Sequence, residues 1–500
     1  MRNLALMWVL SGVLSFAAVQ ADTVQSWESG ETTVTLTDDG TLRVSGNGAM
    51  KDHYYYFSIS DPEEYRPQWC RYSLKGRPIT KAVIGDSVTH IGQNAFSYCF
   101  NLTSITIGNS VASIGNWAFD TDCDNRTSIE VAADNAHYSS EDGILFNKNK
   151  TTLIRHPGCI QGSYVIPDGV THIGNEAFAH NTKLTSVVIP DGVTSIGEQA
   201  FYECFDLTSV TIGNSVASIG KEAFAHNDSL TSITIPNSVK SIGELAFRYN
   251  RGLTSVTIGN SVASIGTGAF LGCGNLTSIE IAADNAHYIS EDGVIFNKNK
   301  TAMIHYPMSR QGPYVIPNSV MFIDDWVFYE CDGLTSVTFP KNLKIIGEYA
   351  FRNCFGLTSV TIPKSVRIIG REAFYACTNL MSVTILNGVP SIGDNAFSYC
   401  KNLTTVTIAG SVRLIGAEAF KDCDSLKLIT FHGLILPKFG YGAFEGGILP
   451  FHTEVYFSNR EWLVSRILPA LVLSAAVLVI FIIIIIVRKS RINKGEEKRK

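Results

Sequence analysis

The sequence predicts a repeat solenoid, on three observations. The segment Leu-Thr-Ser-Val-Thr-Ile recurs along the chain, Ile-Gly-x-x-Ala-Phe follows it after a turn, and successive copies mostly lie 23 residues apart. The Phe marks the beat at Phe96, Phe119, Phe178, Phe201, Phe224, Phe247, Phe270, Phe351, Phe374, Phe397 and Phe420. Phe328 after Val327 and Phe444 after Ala443 bring the copies to thirteen. Each coil needs its neighbours to cover its apolar faces.

A period of 23 residues lies in the leucine-rich-repeat range of about 20–29 and below the helical-pair repeats of about 33–47, which leaves one short strand per coil. In the unit Leu207–Ser229, the residues Leu207, Val210 and Ile212 point inward while Ser209 and Thr211 point outward. Gly213-Asn214-Ser215 supplies a turn. Val216, Ile219, Ala223 and Phe224 give the return side its apolar contacts, with helix and irregular turn both open there.

Two matching cassettes, 128–170 and 278–320, interrupt the beat. Each carries Ala-Ala-Asp-Asn-Ala-His-Tyr, then Glu-Asp-Gly, an apolar triplet (Ile144-Leu145-Phe146; Val294-Ile295-Phe296), the turn Asn-Lys-Asn-Lys and a second apolar run. Apolar run, polar turn and apolar run predict a β-hairpin, and both hairpins are expected to project from one edge of the solenoid.

The rest of the chain follows in order. Residues 1–21 read as a secretory signal peptide, with Arg2, an apolar stretch and small residues before Asp22. Residues 22–80 precede the repeats and are expected to form an N-terminal β cap, since Thr35–Val44 alternates around Asp39-Gly40 and Trp69 adds aromatic bulk. The solenoid occupies 81–447 and a juxtamembrane segment 448–466. Ile467–Val487 is a 21-residue apolar run without a charge, long enough for a C-terminal transmembrane helix across about 30 Å of hydrocarbon. Tail 488–500 carries seven basic and two acidic residues, which places it in the cytoplasm and the repeats outside, as a single-pass type I plasma-membrane protein.

Subtracting the tail's +5 from the chain's −5 leaves −10 on the remainder, so nucleic acid is not an expected partner. The partners expected are the membrane, an extracellular protein or glycan, and a second copy through self-association. Cys99, Cys204, Cys273, Cys331, Cys354, Cys377, Cys400 and Cys423 lie three residues after a marker Phe, where Asn181, Asn227 and Asn250 stand in other coils. Leucine-rich repeats use Asn or Cys at one interior slot. Stacked coils hold such side chains parallel and about 4.8 Å apart, unsuited to disulfides, so buried thiols are expected. Cys70, Cys123 and Cys159 lie off the column, and Cys70 is the best placed to pair.

No nucleophile elbow, phosphate loop or metal-ligand spacing occurs, so neither an enzyme nor a cofactor is expected. His137 with His287, and His156 with His305, are explained by duplication of the cassette; His180 and His226 read as repeat variation. The candidate ligand-binding surface is the strand face, with Ser209, Thr211, Ser232, Thr234, Ser255, Thr257, Ser336, Thr338, Ser359 and Thr361 outward. Seven glycosylation sequons occur, and Asn149 and Asn299 at the cassette turns are the most accessible.

The repeat Ser-Ile-Gly-x-x-Ala-Phe-x-x-Cys-x-x-Leu-Thr-Ser-Val-Thr-Ile-Pro, the cassette Tyr-x-Ser-Glu-Asp-Gly-Val-x-Phe-Asn-Lys and the start Asp-Asp-Gly-Thr-Leu-x-Val-Ser-Gly-x-Gly-Ala-Met together resemble the BspA-like leucine-rich-repeat surface proteins. The resemblance covers about Val34 to Phe444. It implies an adhesin for host matrix proteins or neighbouring cells; the alternative is a pattern-recognition co-receptor signalling through a partner membrane protein. Asp324 in place of Gly and Val327 in place of Ala depart from the pattern and put one turn in question, and the membrane helix fits the anchored members.

Overall fold

The structure is a computed structural model that describes residues 22–53, 67–73, 78–120, 127–156, 160–433, 437–445 and 454–457. The signal peptide, the apolar run 467–487, the basic tail, Cys123 and Cys159 lie outside the described residues. Among the described residues no helix is long and apolar enough to cross a membrane. The chain divides into two compact units, Met1–His287 and Tyr288–Lys500. Each is a β-solenoid built from the 23-residue coil.

A coil has three sides. The first is a long strand such as Ser232–Ile235, in which Ile233 and Ile235 face the core and Ser232 and Thr234 face out. It pairs in parallel with the same residues of the next coil, Ser232 with Ser255 and Ile235 with Ile258. The second side is a two-residue strand such as Ser241–Ile242, again in register with its neighbour at Ser264 and Ile265. Both sheets are parallel because coils follow one another in the same direction.

The third side is neither helix nor strand. Glu222 and His226, two residues before and after Phe224, take φ of 51° and 61°, and their counterparts in most other coils do the same. Every second amide then points along the stack. Glu222 N donates to Glu244 O at 2.9 Å, Phe224 N to Ala246 O at 2.8 Å and His226 N to Arg248 O at 2.8 Å. Left-handed backbone costs an L-residue about 1–2 kcal/mol, and this ladder offsets it. Gly268 and Gly272 fill the same two positions around Phe270.

Inside, the marker rings stack. In the first unit the centroids of Phe178, Phe201, Phe224, Phe247 and Phe270 follow one another at 4.8, 5.0, 5.4 and 5.5 Å, with planes within 8°. In the second, Phe328, Phe351, Phe374, Phe397, Phe420 and Phe444 repeat the arrangement. The Gly of Ile-Gly-x-x-Ala-Phe is required by close approach: a Cβ on Gly220 would lie 2.5 Å from the carbonyl of Gly197. Asp324 stands where the second cassette, in place of a regular coil, lies behind it, and the approach there is less close though still tight. At the equivalent Gly174 a Cβ would meet Leu153 O at 2.9 Å. Trp326 and Glu330 keep the positive φ of the regular coil, so the departures at Asp324 and Val327 leave the turn intact.

The cassette hairpins do not project, which corrects the sequence expectation. Ile144–Asn147 and Thr152–Arg155 pair antiparallel, but the second strand then pairs in parallel with His172–Ile173 and continues the short-strand sheet. Ala302–His305 does the same with Phe322–Ile323. Leu145, Phe146 and Leu153 are buried, so these strands are core. Each cassette is a modified coil: His156 stacks on Phe178 at 5.3 Å and Tyr306 lies against Phe328 at 4.6 Å, where a coil would place Phe. Their amides donate to Ala177 O and Val327 O, as a marker Phe does. His156 is thus the counterpart of Tyr306. His305 matches Arg155 instead, since Leu145 pairs with Arg155 and Ile295 with His305, and the duplication expected of His156 and His305 does not hold.

At the N-terminal end Thr23–Ser29, Thr32–Thr37 and Thr41–Gly46 form an antiparallel meander. Its last strand pairs in parallel with Lys81–Ile84, the first long strand of the repeats.

Candidate ligand-binding surface

The ten Ser and Thr residues of the strand face lie where the alternation puts them, exposed or half-buried on the outer side of the long strands. In the first unit Ser232 pairs with Ser255 and Thr234 with Thr257, and Glu280 ends the Thr column. In the second, Ser359 is followed by Ser382 and Thr405, and Thr361 by Thr384 and Thr407.

A third hydroxyl column runs beside these two, and its role differs. Thr208 Oγ1 donates to Thr185 O at 2.9 Å, Thr254 Oγ1 to Thr231 O at 3.0 Å and Thr404 Oγ1 to Met381 O at 2.9 Å. These hydroxyls tie one coil to the next. Among the described residues none of the ten candidate hydroxyls makes a hydrogen bond within the protein. Sequence pattern alone does not separate the three columns.

The Thr234–Thr257–Glu280 column borders a shallow open groove of about 450 Å³, whose other wall is the corner turn with Asn214, Pro236, Asn237 and Gly259. The corner is held by side chains that bridge coils: Asn214 N donates to Asp191 Oδ1 at 2.6 Å and Asn260 N to Asn237 Oδ1 at 2.9 Å. The groove is extended and polar-edged, suited to a chain-like ligand more than a small enclosed one.

The Cys/Asn column is buried throughout: Cys99, Asn181, Cys204, Asn227, Asn250, Cys273, Cys331, Cys354, Cys377, Cys400 and Cys423 are at most 1% exposed. Its chemistry explains the exchange of Asn for Cys. Asn250 Nδ2 donates to Phe224 O at 2.9 Å, in the preceding coil, and Cys354 Sγ donates to Phe328 O, also in the preceding coil, at 2.9 Å. Both groups satisfy the same carbonyl. Burial pushes the Cys273 and Cys423 thiols up to about 12. No disulfide joins two described cysteines, and Cys70 lies buried in Gln68–Ser73.

Asn149 and Asn299 are exposed in the cassette turns. Another sequon asparagine, Asn227, is fully buried and donates to Phe201 O and Phe224 O, so the folded chain conceals it.

A half-buried polar cluster around the buried Glu176, on the return side of the first unit, was not legible beforehand. Glu176 Oε2 accepts the Trp117 amide at 2.5 Å, and His180 lies 3.5 Å from Asp120 and 3.2 Å from Glu203. Burial opposes the His180 cation, but the Glu203 hydrogen bond and the charges of Asp120 and Glu203 outweigh it and raise its pKa. Burial pushes Glu176 up to about 7, against the Trp117 amide and Arg155. Native Glu176 therefore holds a proton that the unfolded chain releases near its ordinary 4.5, and stability is lost as pH rises through that window to 7. Glu176→Gln is expected to raise stability above pH 7 by up to about 3 kcal/mol and to change nothing below pH ~4.5. Unfolding midpoints of the two proteins across this range check it; a gap independent of pH would refute it.

The family profile described as "BspA type Leucine rich repeat region" matches residues 70–154, 171–303 and 312–446, in six copies. The chain belongs to the BspA-type leucine-rich-repeat family. No curated protein is significantly similar to it. Solved structures similar to this BspA-type chain include a leucine-rich repeat protein from Eubacterium ventriosum, 24% identical, covering 84% of this chain and 94% of its own, with a TM-score of 0.47. A leucine rich cell surface protein from Faecalibacterium prausnitzii is 26% identical, covering 82% and 96%, with a TM-score of 0.46. The pneumococcal vaccine antigen PcpA is 19% identical, covering 87% and 94%, with a TM-score of 0.46.

Proposed function

We propose that this BspA-type protein is a cell-surface adhesin, whose strand face binds an extended extracellular protein or glycan. The observation that carries the reading is the pair of hydroxyl columns, which remain without internal hydroxyl partners although hydroxyls of the adjacent Thr column, such as Thr208 and Thr254, bond between coils. Short uncharged side chains on a rigid parallel sheet offer many weak, regularly spaced hydrogen bonds. In the same reading, residues 1–21 export the chain and 467–487 anchor it with the repeats outside. The meander that pairs with the first repeat strand then serves as the N-terminal cap.

The test is adhesion of cells displaying the full chain to immobilised fibronectin, fibrinogen, laminin or the protein itself. The triple variant Thr211→Lys, Thr234→Lys, Thr257→Lys keeps the strands and fills the face with charge. It is expected to weaken a saturable interaction by about tenfold or more, equivalent to about 1.4 kcal/mol. Undiminished binding by the variant would remove the face from consideration, and a wild type that binds none of these would sink the adhesin reading.

A further inference from the structure

The two cassettes are copies of one another, so a residue that differs between them shows what one has and the other lacks. Each leaves its hairpin through a short strand of the long-strand side, Gly162–Val165 in the first and Gly312–Val315 in the second. Gly162–Val165 pairs in parallel with Leu184–Ile189 and is the end strand of its sheet. The preceding long strand, Ser128–Val131, ends a different sheet. Its Ile129 amide donates to Gly143 O and its Val131 amide to Ser140 Oγ, so the hairpin takes the bonds that a following coil would have made.

The break leaves one edge of Gly162–Val165 open. Gly162 N donates to Lys183 O and Ile166 N to Val188 O, both at 3.1 Å, which turns these residues towards the following coil. Along a strand, alternate residues direct their N–H and C=O to opposite sides. Those of Ser163 and Val165 therefore point the other way, where among the described residues no strand stands. A Cβ on Gly169, just after the strand, would meet nothing within 4 Å, whereas at Gly192, the same place one coil on, it would lie 3.1 Å from Asp168 O. Val165 is 62% exposed and its register partner Val188 39%, an apolar pair on a wall made mainly of Ser and Thr.

The second cassette closes this edge with its own residues. Pro313 takes the place of Ser163, paired with Ser336 as Ser163 is with Ser186. Proline has no N–H to offer and blunts an exposed edge. Arg310 lies 5.3 Å from the centre of the Tyr314 ring, and its guanidinium is 3.8 Å from Asp292. The first cassette keeps the carboxylate and the ring as Asp142 and Tyr164, but has Ile160 where Arg310 stands. Asp142 is exposed, and its charge adds to burial in pushing the Tyr164 phenol up to about 12. Lys150 of the same cassette is engaged with Glu141 at 3.0 Å, and among the described residues no Lys or Arg pairs with Asp142.

An unpaired strand edge recognises main chain in extended form, and the neighbouring side chains choose among sequences. We propose that the edge of Gly162–Val165 binds an extended segment of a partner protein by strand addition, with an Arg or Lys of that segment over Tyr164 beside Asp142. The segment's backbone pairs with Ser163 and Val165, and its outward side chain rests against Val165. The site is the edge of the wall and not its hydroxyl face, so it stands apart from the adhesin reading.

Hydrogen exchange of the full chain in detergent micelles, with and without the synthetic peptide acetyl-Thr-Val-Arg-Val-Thr-amide, provides the test. In the free chain the Ser163 and Val165 amides are expected to exchange at least about tenfold faster than those of Ser186 and Val188, which have a strand behind them. Added peptide should slow them saturably. Ser163→Pro, which copies the second cassette and so suits the fold, is expected to weaken the peptide about fivefold as read at Val165, the worth of one backbone hydrogen bond. Asp142→Asn should remove a preference of about threefold for this peptide over one with Gln in place of Arg. A peptide methylated on its backbone nitrogens, which leaves the protein untouched, should have no effect. Slow exchange at Ser163 in the free chain, slowing that appears when the chain alone is concentrated, no saturable slowing at about millimolar peptide, or equal slowing by the methylated peptide would each overturn strand addition by a partner segment. Indifference to Asp142→Asn would overturn the place given to the cation. None of these readouts uses cell adhesion, so this proposal and the adhesin reading fail separately.

Discussion

Phe224→Ala is expected to destabilise the first unit by about 3–5 kcal/mol, the usual cost of emptying a buried aromatic site. The ring is fully buried between Phe201 at 5.0 Å and Phe247 at 5.4 Å, so its removal opens a gap bounded on both sides by rings that the backbone ladder holds in place. Collapse into that gap would require Phe224 N and Ala246 O to separate, along with the bonds to the next coil. Because each coil is stabilised only by its neighbours, the loss interrupts the stack where it occurs. Hydrogen exchange of the amides from Phe201 to Phe247 checks this. Protection should fall first on the two sides of residue 224, and a uniform fall across the chain would count against nearest-neighbour coupling.

Gly220→Ala is the second large effect, and it acts through the backbone. The added methyl would lie 2.5 Å from both the carbonyl carbon and the oxygen of Gly197, a contact that no side-chain rotation relieves. Moving the coils apart would stretch both parallel sheets and the ladder together. Overpacking of this kind costs about 1–3 kcal/mol or more. Gly274→Ala is the matched control, since a Cβ there meets nothing within 4 Å and its change is expected to stay within about 0.5 kcal/mol. Urea unfolding midpoints of the two variants give the comparison. Equal midpoints would mean that the Gly column is not set by close approach.

The 23-residue beat made the solenoid, the inward Leu, Val and Ile and the outward Ser and Thr legible, because a strand's period of two is written directly in Leu-Thr-Ser-Val-Thr-Ile. The cassettes misled for a physical reason. A hairpin signal reports which two segments pair with each other and nothing about a third partner, and Thr152–Arg155 has one in His172–Ile173. Nor did the return side announce itself. Residues with positive φ there include Glu222, His226, Leu245 and Tyr249, which share no chemistry that would mark them. Thr208 and Ser209 are neighbours in sequence, yet the hydroxyl of one is fastened to the coil behind it and the hydroxyl of the other has no partner within the protein, a difference that depends on where the carbonyl of Thr185 lies. The Glu176 cluster escaped notice because Trp117 and Asp120 come from before the first cassette, and Glu176 and His180 from after it.

The return-side ladder bears on how such a chain varies over time. Phe201 N meets Ala223 O at 2.7 Å and Phe224 N meets Ala246 O at 2.8 Å, so the junction between one pair of coils is interchangeable with the next. A recombination event that removes or duplicates one 23-codon unit therefore rejoins surfaces that already fit, with the ring, the glycine and the amides meeting partners of the same kind. The length of the solenoid can be altered by genetic exchange alone, without a compensating change at any other residue.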